Sequence, residues 1–430
     1  MISTFSDNLI LVLYTLLWLW LVVVYRKKTK QVTLTLVLIL IYAVMAPVCI
    51  YLYNTSYTYL YFERNLTFMG FLYLFLMIVI ALIPIFKTKE EKINGFWIPN
   101  SKLVTFCCVV VSLLSIYSII IYLPKLQEGL VIMLSGSDDI VDLYEEAKSD
   151  RMDAKSFSGT MNYLSILSNV SDYFIPLLLF LYLLLKRRSK IVLALLFIGL
   201  LKVPVQGIAN ASRFQLISQL FVVALLFFFF KPYMKPSIVN MTKKVFVIVA
   251  ASLLVVFVTI SMVRSETDNK TSTGYGLARY YAQGPLVFDN FCLDANGTRE
   301  GHFTFPVLLH LMGEKSMSEN ELRAKYSHMK VDNSRFTTFV GDFVLDYGPV
   351  MAFVLFLFFS LITSSFLSNK GVLSFGQIII LYLSMRFCCG FYQYQLGSTA
   401  GNLYVFLSLI IALLYSGRAR NQIYIERNIL

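Results

Sequence analysis

The stretch "LTFMGFLYLFLMIVIALIPIF", residues 66–86, contains no charged side chain, and a lysine-containing segment, residues 87–92, follows it directly. About 20 apolar residues are needed to cross the hydrocarbon core of a bilayer as a helix. The stretch therefore predicts a transmembrane helix with its end marked by lysines.

Similar blocks recur along the chain, which is 57% hydrophobic and only 14% charged, with a mean hydropathy of +0.69. Such a composition is typical of an integral membrane protein. The sequence predicts an all-α, polytopic fold in which residues 1–430 form a single membrane domain. About eleven transmembrane helices are expected, within a range of about 10–12. The blocks lie near residues 7–25, 31–53, 66–86, 102–123, 161–185, 191–209, 214–230, 245–263, 347–367, 373–392 and 401–415.

Lysine and arginine cluster at alternate connections, which the positive-inside rule assigns to the cytoplasm. These connections are Arg26–Lys30, Lys87–Lys92, Lys186–Lys190, Lys231–Lys244, Lys370 and the tail Arg418–Arg427. The N-terminus is then predicted outside and the C-terminus inside. The net charge of +12 requires no nucleic acid, because much of it lies in inner loops beside anionic lipid headgroups.

Two outer connections are long. The acidic loop 124–160 predicts a helix capped by Ser137, with Asp138 and Asp139 in its first turn. The loop 264–346, between the eighth and ninth predicted helices, is too aromatic and too rich in turns to be a disordered linker. A large ordered loop over a helical bundle favours chemistry or recognition at the membrane surface.

Arg213 is the charged residue of the stretch "VPVQGIANASRFQLISQLF", residues 203–221, between two apolar runs. Gly207, Asn210 and Ser212 provide a turn of small residues, and backbone N–H groups at the start of the next helix favour an anion. Arginine presents a planar fork that fits phosphate oxygens. The pattern predicts that Arg213 binds a phosphorylated ligand at the outer membrane boundary.

Other cations are predicted at the same level: Lys202, Arg264, Arg279 and Arg386. Charges at the edges of membrane spans are candidates for function, although long side chains also reach headgroups by snorkelling. Arg279, beside Tyr280 and Tyr281, fits a short amphipathic helix lying on the bilayer.

Asp342 and Asp346 are four residues apart, and therefore share one helical face where the chain re-enters the membrane. A partly desolvated carboxylate there could act as a general base. Alternatively, each is a helix cap or the partner of an arginine such as Arg335.

The histidines His302, His310 and His328 lack metal-ligand spacing, and no nucleotide-binding glycine loop is present. We therefore expect no metal and no cofactor. The energy for any transfer must then come with a substrate on a membrane carrier.

Four motifs occur in order: "ANASRFQL", "LARYYAQGPLVFDNF", "GHFTFPVLLHLMG" and "NSRFTTFVGDFVLDYGPVMAFV". Together they resemble the bacterial O-antigen polymerase (Wzy) family over roughly residues 195–365. The resemblance implies a GT-C-like membrane glycosyltransferase of the inner membrane, related in architecture to the O-antigen ligases, that joins undecaprenyl-diphosphate-linked repeat units on the periplasmic side.

By this resemblance, Arg213 and Arg279 match arginines that engage the diphosphates, and Asp346-Tyr347-Gly348 matches the end of the last loop motif. Ligases carry a histidine before the re-entry helix where this chain has Thr337 and Thr338. Membrane lipid, a flippase and a chain-length regulator are the implied partners. Arg213, Arg279, Asp342 and Asp346 are the predicted catalytic residues. The predicted substrate-binding residues are Lys202, Arg264, Tyr280, Tyr281, Arg335 and Arg386.

Two alternatives remain among proteins that act on the same lipid-linked sugars. An O-antigen ligase would use lipid A core as the acceptor. A flippase would also need outward cations, but it usually has short loops. A structural scaffold for an envelope complex would make Arg213 and Arg279 dispensable.

Overall fold

The computed structural model describes residues 5–29, 31–55, 65–135, 160–210, 212–267, 273–314, 317, 319–331, 335–367, 371–417 and 422–427. It is built mainly of α-helices. Their bounds are α1 Phe5–Lys28, α2 Leu34–Tyr53, α3 Phe68–Thr88, α4 Ser101–Ser135, α5 Thr160–Leu184, α6 Lys190–Leu200, α7 Lys202–Ala209, α8 Arg213–Phe230, α9 Pro236–Thr267, α10 Thr273–Val287, α11 Pro306–Leu311, α12 Glu319–Lys325, α13 Thr338–Phe366, α14 Phe375–Cys388 and α15 Thr399–Leu414.

Eight helices in the described part of the chain are long and apolar enough to cross a membrane. Three shorter apolar helices, at residues 218–233, 375–388 and 399–414, lie at the other predicted blocks. The prediction of an all-α polytopic membrane protein is confirmed at this level.

Helix boundaries differ from the predicted blocks at two places that bear on function. α4 continues to Ser135, so the acidic segment 124–160 begins as a helix. The cap at Ser137 and the acidic helix predicted there lie outside the described residues. α13 begins at Thr338, inside the predicted outer loop, rather than at residue 347.

The chain divides into two compact units, and the first comprises residues 1–91, 271–368 and 380–405. Its first three helices alternate in direction. Tyr53, at the end of α2, donates a hydrogen bond of 2.9 Å to Asp7 near the start of α1. At the opposite end, Glu90 accepts 2.9 Å and 3.0 Å bonds from the backbone N–H groups of Leu34 and Thr35. The connections predicted to face opposite sides therefore lie at opposite ends of these helices.

An aromatic cluster fills the space between α1, α2 and α3. Trp18 is fully buried and stacks on Tyr42, with ring centroids 5.0 Å apart. Phe75 meets the same indole edge-on, also at 5.0 Å. Large aromatic rings bury the most apolar area per residue, so this cluster supplies much of the packing between the three helices.

The second unit comprises residues 92–270, 369–379 and 406–430, and it contains a small sheet that the sequence analysis did not predict. Three strands, β1 Gly95–Pro99, β2 Val372–Leu373 and β3 Gln422–Glu426, pair in the order β2-β1-β3. β1 pairs in parallel with β2 and antiparallel with β3, and Trp97 packs against Tyr424 with ring centroids 5.1 Å apart. All three strands adjoin connections assigned to the cytoplasm. The sheet therefore joins three segments that the lysine pattern placed on one side.

α13 is broken near its first third. Gly348 has φ 77° and ψ 164°, and Pro349 follows it without a backbone N–H to donate. Before the break, every residue of 338–347 is buried except Asp342 and Tyr347. After it, Val350 is 78% exposed and Phe358 and Leu361 are each 61% exposed. The first segment is thus enclosed by protein, whereas the second presents the apolar surface expected toward lipid.

We predict that Gly348→Ala destabilises the protein by about 1–3 kcal/mol, because its backbone conformation is nearly restricted to glycine. The measurement is the free energy of unfolding in detergent micelles by denaturant titration. Gly276→Ala is the matched control, since a Cβ at Gly276 meets no atom within 4 Å. In a helix that control should be neutral or stabilising by about 0.5–1 kcal/mol. Equal effects of the two variants would contradict the prediction.

Candidate functional site

Arg299 binds two backbone carbonyls of the α13 segment that precedes the break. Its backbone N–H donates to the carbonyl of Leu345 at 2.8 Å. Its Nη2 donates to the carbonyl of Asp342 at 3.0 Å. Beyond the break, the Tyr73 hydroxyl donates to the carbonyl of Pro349 at 2.5 Å. A discontinuous membrane helix is tolerated where protein groups satisfy its backbone in this way.

Arg299 also pairs with both carboxylates predicted at this position. Its Nε lies 2.8 Å from Asp346 Oδ1, and its Nη2 lies 3.3 Å from Asp342 Oδ1. Asp346 is 1% exposed and Arg299 is 3% exposed. We name Arg299, Thr304, Asp342 and Asp346 the re-entry cluster.

The two carboxylates differ in their hydrogen bonding and in their exposure to solvent. Asp346 Oδ2 accepts bonds from the Phe303 N–H at 3.2 Å and from the N–H and hydroxyl of Thr304, each at 2.8 Å. Asp342 accepts bonds from the Thr337 hydroxyl at 3.0 Å and the Tyr394 N–H at 2.7 Å, yet its side chain remains 15% exposed. Only Asp342 therefore keeps an accessible carboxylate surface.

The prediction that an arginine such as Arg335 pairs with these carboxylates was wrong about the partner. In the described part of the chain, Arg299 makes their ion pairs. The guanidinium of Arg335 instead lies over the ring of Phe291, 4.7 Å from its centroid. The sequence analysis did not identify Arg299 as a functional residue. It lies in the loop segment "NGTREGHF", residues 296–303, which has neither helical nor strand periodicity, so its distant partners could not be predicted.

The helix predicted around Arg279 is present as α10, but it does not present its aromatic residues as a helix lying on the bilayer would. Tyr275 is 1% exposed, and the Tyr281 hydroxyl donates to the carbonyl of Ile41 in α2 at 2.8 Å. Cys49, also in α2, contacts the carbonyl of Ala282. α10 is therefore held by protein contacts within the first unit. Arg279 is half-buried, and its Nε donates to Gln283 Oε1 at 3.3 Å.

Three segments of the first unit converge between α10 and the re-entry cluster. Tyr280 packs against Phe336 and Tyr392, with ring centroids 5.2 Å and 4.9 Å away. The Thr338 N–H donates to the carbonyl of Tyr392 at 2.8 Å. We name Tyr280, Phe336 and Tyr392 the aromatic floor. It links the helix that carries Arg279 to the chain leading into Asp342. Arg386, in the last turn of α14, is 7% exposed in the same unit.

The remaining predicted cations belong to the second unit. Lys202 is fully buried, and its ammonium lies 2.9 Å from Ser168 Oγ, 3.0 Å from Asn169 Oδ1 and 2.9 Å from Asp172 Oδ2. It neither snorkels nor offers a surface to a substrate. Arg213 is the first residue of α8, as predicted, and Arg264 lies near the end of α9; their side chains fall outside the described residues.

A second charged group lies near the re-entry cluster. Glu300 forms an ion pair with Lys325 at 3.0 Å and accepts a hydrogen bond from the Tyr326 hydroxyl at 3.1 Å. Together these contacts lower the pKa of the Glu300 carboxyl. His302 Nε2 lies 3.3 Å from both Lys325 Nζ and Glu314 Oε2. Burial, reinforced by the Lys325 charge, lowers the pKa of His302. The lowered pKa favours the neutral imidazole, whose Nε2 then accepts a hydrogen bond from the Lys325 ammonium.

We predict that Asp346→Asn lowers the free energy of unfolding by about 3–5 kcal/mol, because it removes the closer and more deeply buried of the two counterions of Arg299. Glu300→Gln removes an exposed pair from the same loop and should cost under about 1 kcal/mol. Denaturant titration in detergent micelles measures both. A cost for Asp346→Asn no larger than that for Glu300→Gln would show that the buried pair contributes little.

No protein-family model matches this chain, and no curated protein or solved structure matches it either. The functional assignment therefore rests on the residues and on their geometry.

Proposed function

We propose that this chain polymerises oligosaccharide repeat units carried on undecaprenyl diphosphate, at the periplasmic face of a bacterial inner membrane, to build surface polysaccharide such as O-antigen or capsule. One observation carries the proposal. The long segment between α9 and α13 folds back onto membrane helices through Arg299, Thr304 and α10. An ordered loop fixed on a helical scaffold suits chemistry on a lipid-linked substrate better than simple passage across the membrane does.

In the proposed reaction, a hydroxyl of the acceptor sugar attacks the anomeric carbon of the donor sugar. The new glycosidic bond forms as the bond between sugar and phosphate breaks, and undecaprenyl diphosphate leaves with the bonding electron pair. Negative charge grows on the leaving diphosphate. Cationic groups fixed in a site poor in water stabilise that charge most strongly once it has formed.

Arg279 is the proposed phosphate-binding arginine of the first unit. It is half-buried on a helix that contacts α2, so its position is fixed before substrate arrives. Arg213 has the same proposed role because it begins α8, where backbone N–H groups also attract an anion. Arg264, Arg335 and Arg386 remain proposed secondary contacts for the substrate.

Of the two carboxylates, Asp342 is the better candidate for the general base. Its side chain is 15% exposed, whereas that of Asp346 is 0% exposed and already accepts four hydrogen bonds. A general base must reach the attacking hydroxyl, and Asp342 keeps an accessible surface for that contact. Asp346 then acts as a positioning residue that fixes the loop and the neighbouring carboxylate.

Tyr280 and Tyr281 are proposed to contact sugar rings beside Arg279. Tyr280 belongs to the aromatic floor and is partly exposed, so its ring can face an apolar sugar surface.

Lys202 is left out of the proposed substrate contacts because it is enclosed by Ser168, Asn169 and Asp172. A flippase and a chain-length regulator are the expected protein partners, and the mechanism requires no metal.

The decisive experiment incubates the purified protein with synthetic undecaprenyl-diphosphate repeat units and resolves the products by length. We expect ladders of several repeat units that a chelator does not abolish. Arg279→Ala and Arg213→Ala should each lower the rate by about 10²–10³, the usual effect of losing a group that stabilises transition-state charge. Lys330→Ala is the matched control, because Lys330 pairs with Asp294 at the surface and is 48% exposed.

Other outcomes would select other functions. Lipid-linked units that change leaflet without elongation would identify a flippase. Transfer of a single chain to lipid A core, without ladders, would identify a ligase. Activity lost with chelator would overturn the metal-free mechanism, and full activity of Arg279→Ala would remove that residue from the site.

A further inference from the structure

We propose that the second unit binds an anionic phospholipid, with one acyl chain in an internal cavity and the phosphate at a basic rim. The cavity lies between α5, α6, α7, α8 and α9 and has an empty volume of about 670 Å³, including space at its open boundary. This site is separate from the residues proposed for glycosyl transfer.

The lining of the cavity selects a hydrocarbon chain. Its walls are aliphatic and aromatic side chains, and Gln219 and Thr242 are the polar residues among them. An apolar cavity of this kind does not hold ordered water, because water needs several polar partners. In a bilayer, lipid chains are the abundant molecules that can fill such a space.

The length of the cavity fits one leaflet. Thr242 and Leu253 both line it, eleven residues apart along α9. At 1.5 Å per residue they lie about 16 Å apart along the helix axis, close to half of the roughly 30 Å hydrocarbon thickness of a bilayer. A single acyl chain running beside α9 therefore occupies the distance from Thr242 to Leu253.

A polar group marks the end at which the acyl ester would sit. The Thr242 hydroxyl is buried and has no hydrogen-bond partner among the described residues.

Cations lie at the same end, and we name Arg188, Lys243 and Lys244 the basic rim. Lys243 and Lys244 are exposed and lie between the lining residues Thr242 and Val245. Arg188 Nη1 donates at 3.0 Å to the carbonyl of Leu183, another lining residue. Within the described residues, none of the three forms an ion pair with a carboxylate. Basic groups between membrane helices at the cytoplasmic side favour anionic headgroups.

The first test measures phospholipid retained by the purified full chain, by solvent extraction and mass spectrometry. We expect a phosphatidylglycerol-type or cardiolipin-type lipid to remain bound to wild type. Val249→Trp fills the cavity and should reduce retention about fivefold or more. Val247→Trp is the matched control on the same helix, because Val247 is 64% exposed and should leave retention unchanged. Equal retention by the two variants, or a polyprenyl lipid in the extract, overturns the proposal.

The second test measures the thermal unfolding midpoint of the wild-type protein in detergent. This comparison needs no variant, so poor folding of a variant cannot affect it. Added phosphatidylglycerol should raise the midpoint more than phosphatidylcholine with identical chains. The double variant Lys243→Gln/Lys244→Gln should weaken the preference for the anionic lipid roughly tenfold, because each cation near a headgroup contributes to its binding. Lys27→Gln/Lys28→Gln is the control, since those exposed lysines end α1 in the first unit. Identical responses to the two lipids in wild type would rule out the headgroup contact.

Discussion

The ion pair between Arg299 and Asp346 is the constraint on which the first unit depends. Removing two charges from water costs several kcal/mol for each ion, and attraction between them offsets that cost only where hydrogen bonds complete the shell. Here Asp346 accepts hydrogen bonds from Arg299, Thr304 and the N–H of Phe303, while Arg299 also donates to the carbonyls of Asp342 and Leu345 in α13. The broken helix and the folded loop therefore stabilise each other.

This mutual support explains how the segment between α10 and α13 is held in a fixed position against α13. Because Pro349 has no N–H to donate, the carbonyl of Leu345 lacks its helical donor and accepts the N–H of Arg299 instead. Without the loop, the carboxylates would lie buried with no counterion. Asp346 makes the deeper contacts and fixes the structure, whereas Asp342 stays partly accessible.

Hydropathy was sufficient to predict the helices, because the length of an apolar block decides whether it can cross a bilayer. The lysine pattern also grouped the connections correctly, as the contacts of Asp7 with Tyr53 and of Glu90 with Leu34 confirm within the first unit. Arg299 was missed because its partners lie more than forty residues away and no local period marks it. The strands were missed because each is short and its pairing is set by segments distant in the chain. Enclosure of Lys202 by Asp172 likewise depends on how α5 packs with α7, and one sequence does not specify that packing.

The small sheet of the second unit has a consequence for biogenesis. Its middle strand, Gly95–Pro99, leaves the ribosome first, whereas both neighbours come from the last part of the chain. During synthesis this strand has two unpaired edges while the intervening helices insert, and an unpaired edge is prone to wrong association. Pairing with Gln422–Glu426 closes one of these edges only after all the intervening helices have been synthesised. Insertion of the intervening helices and completion of the sheet are therefore separate events in time.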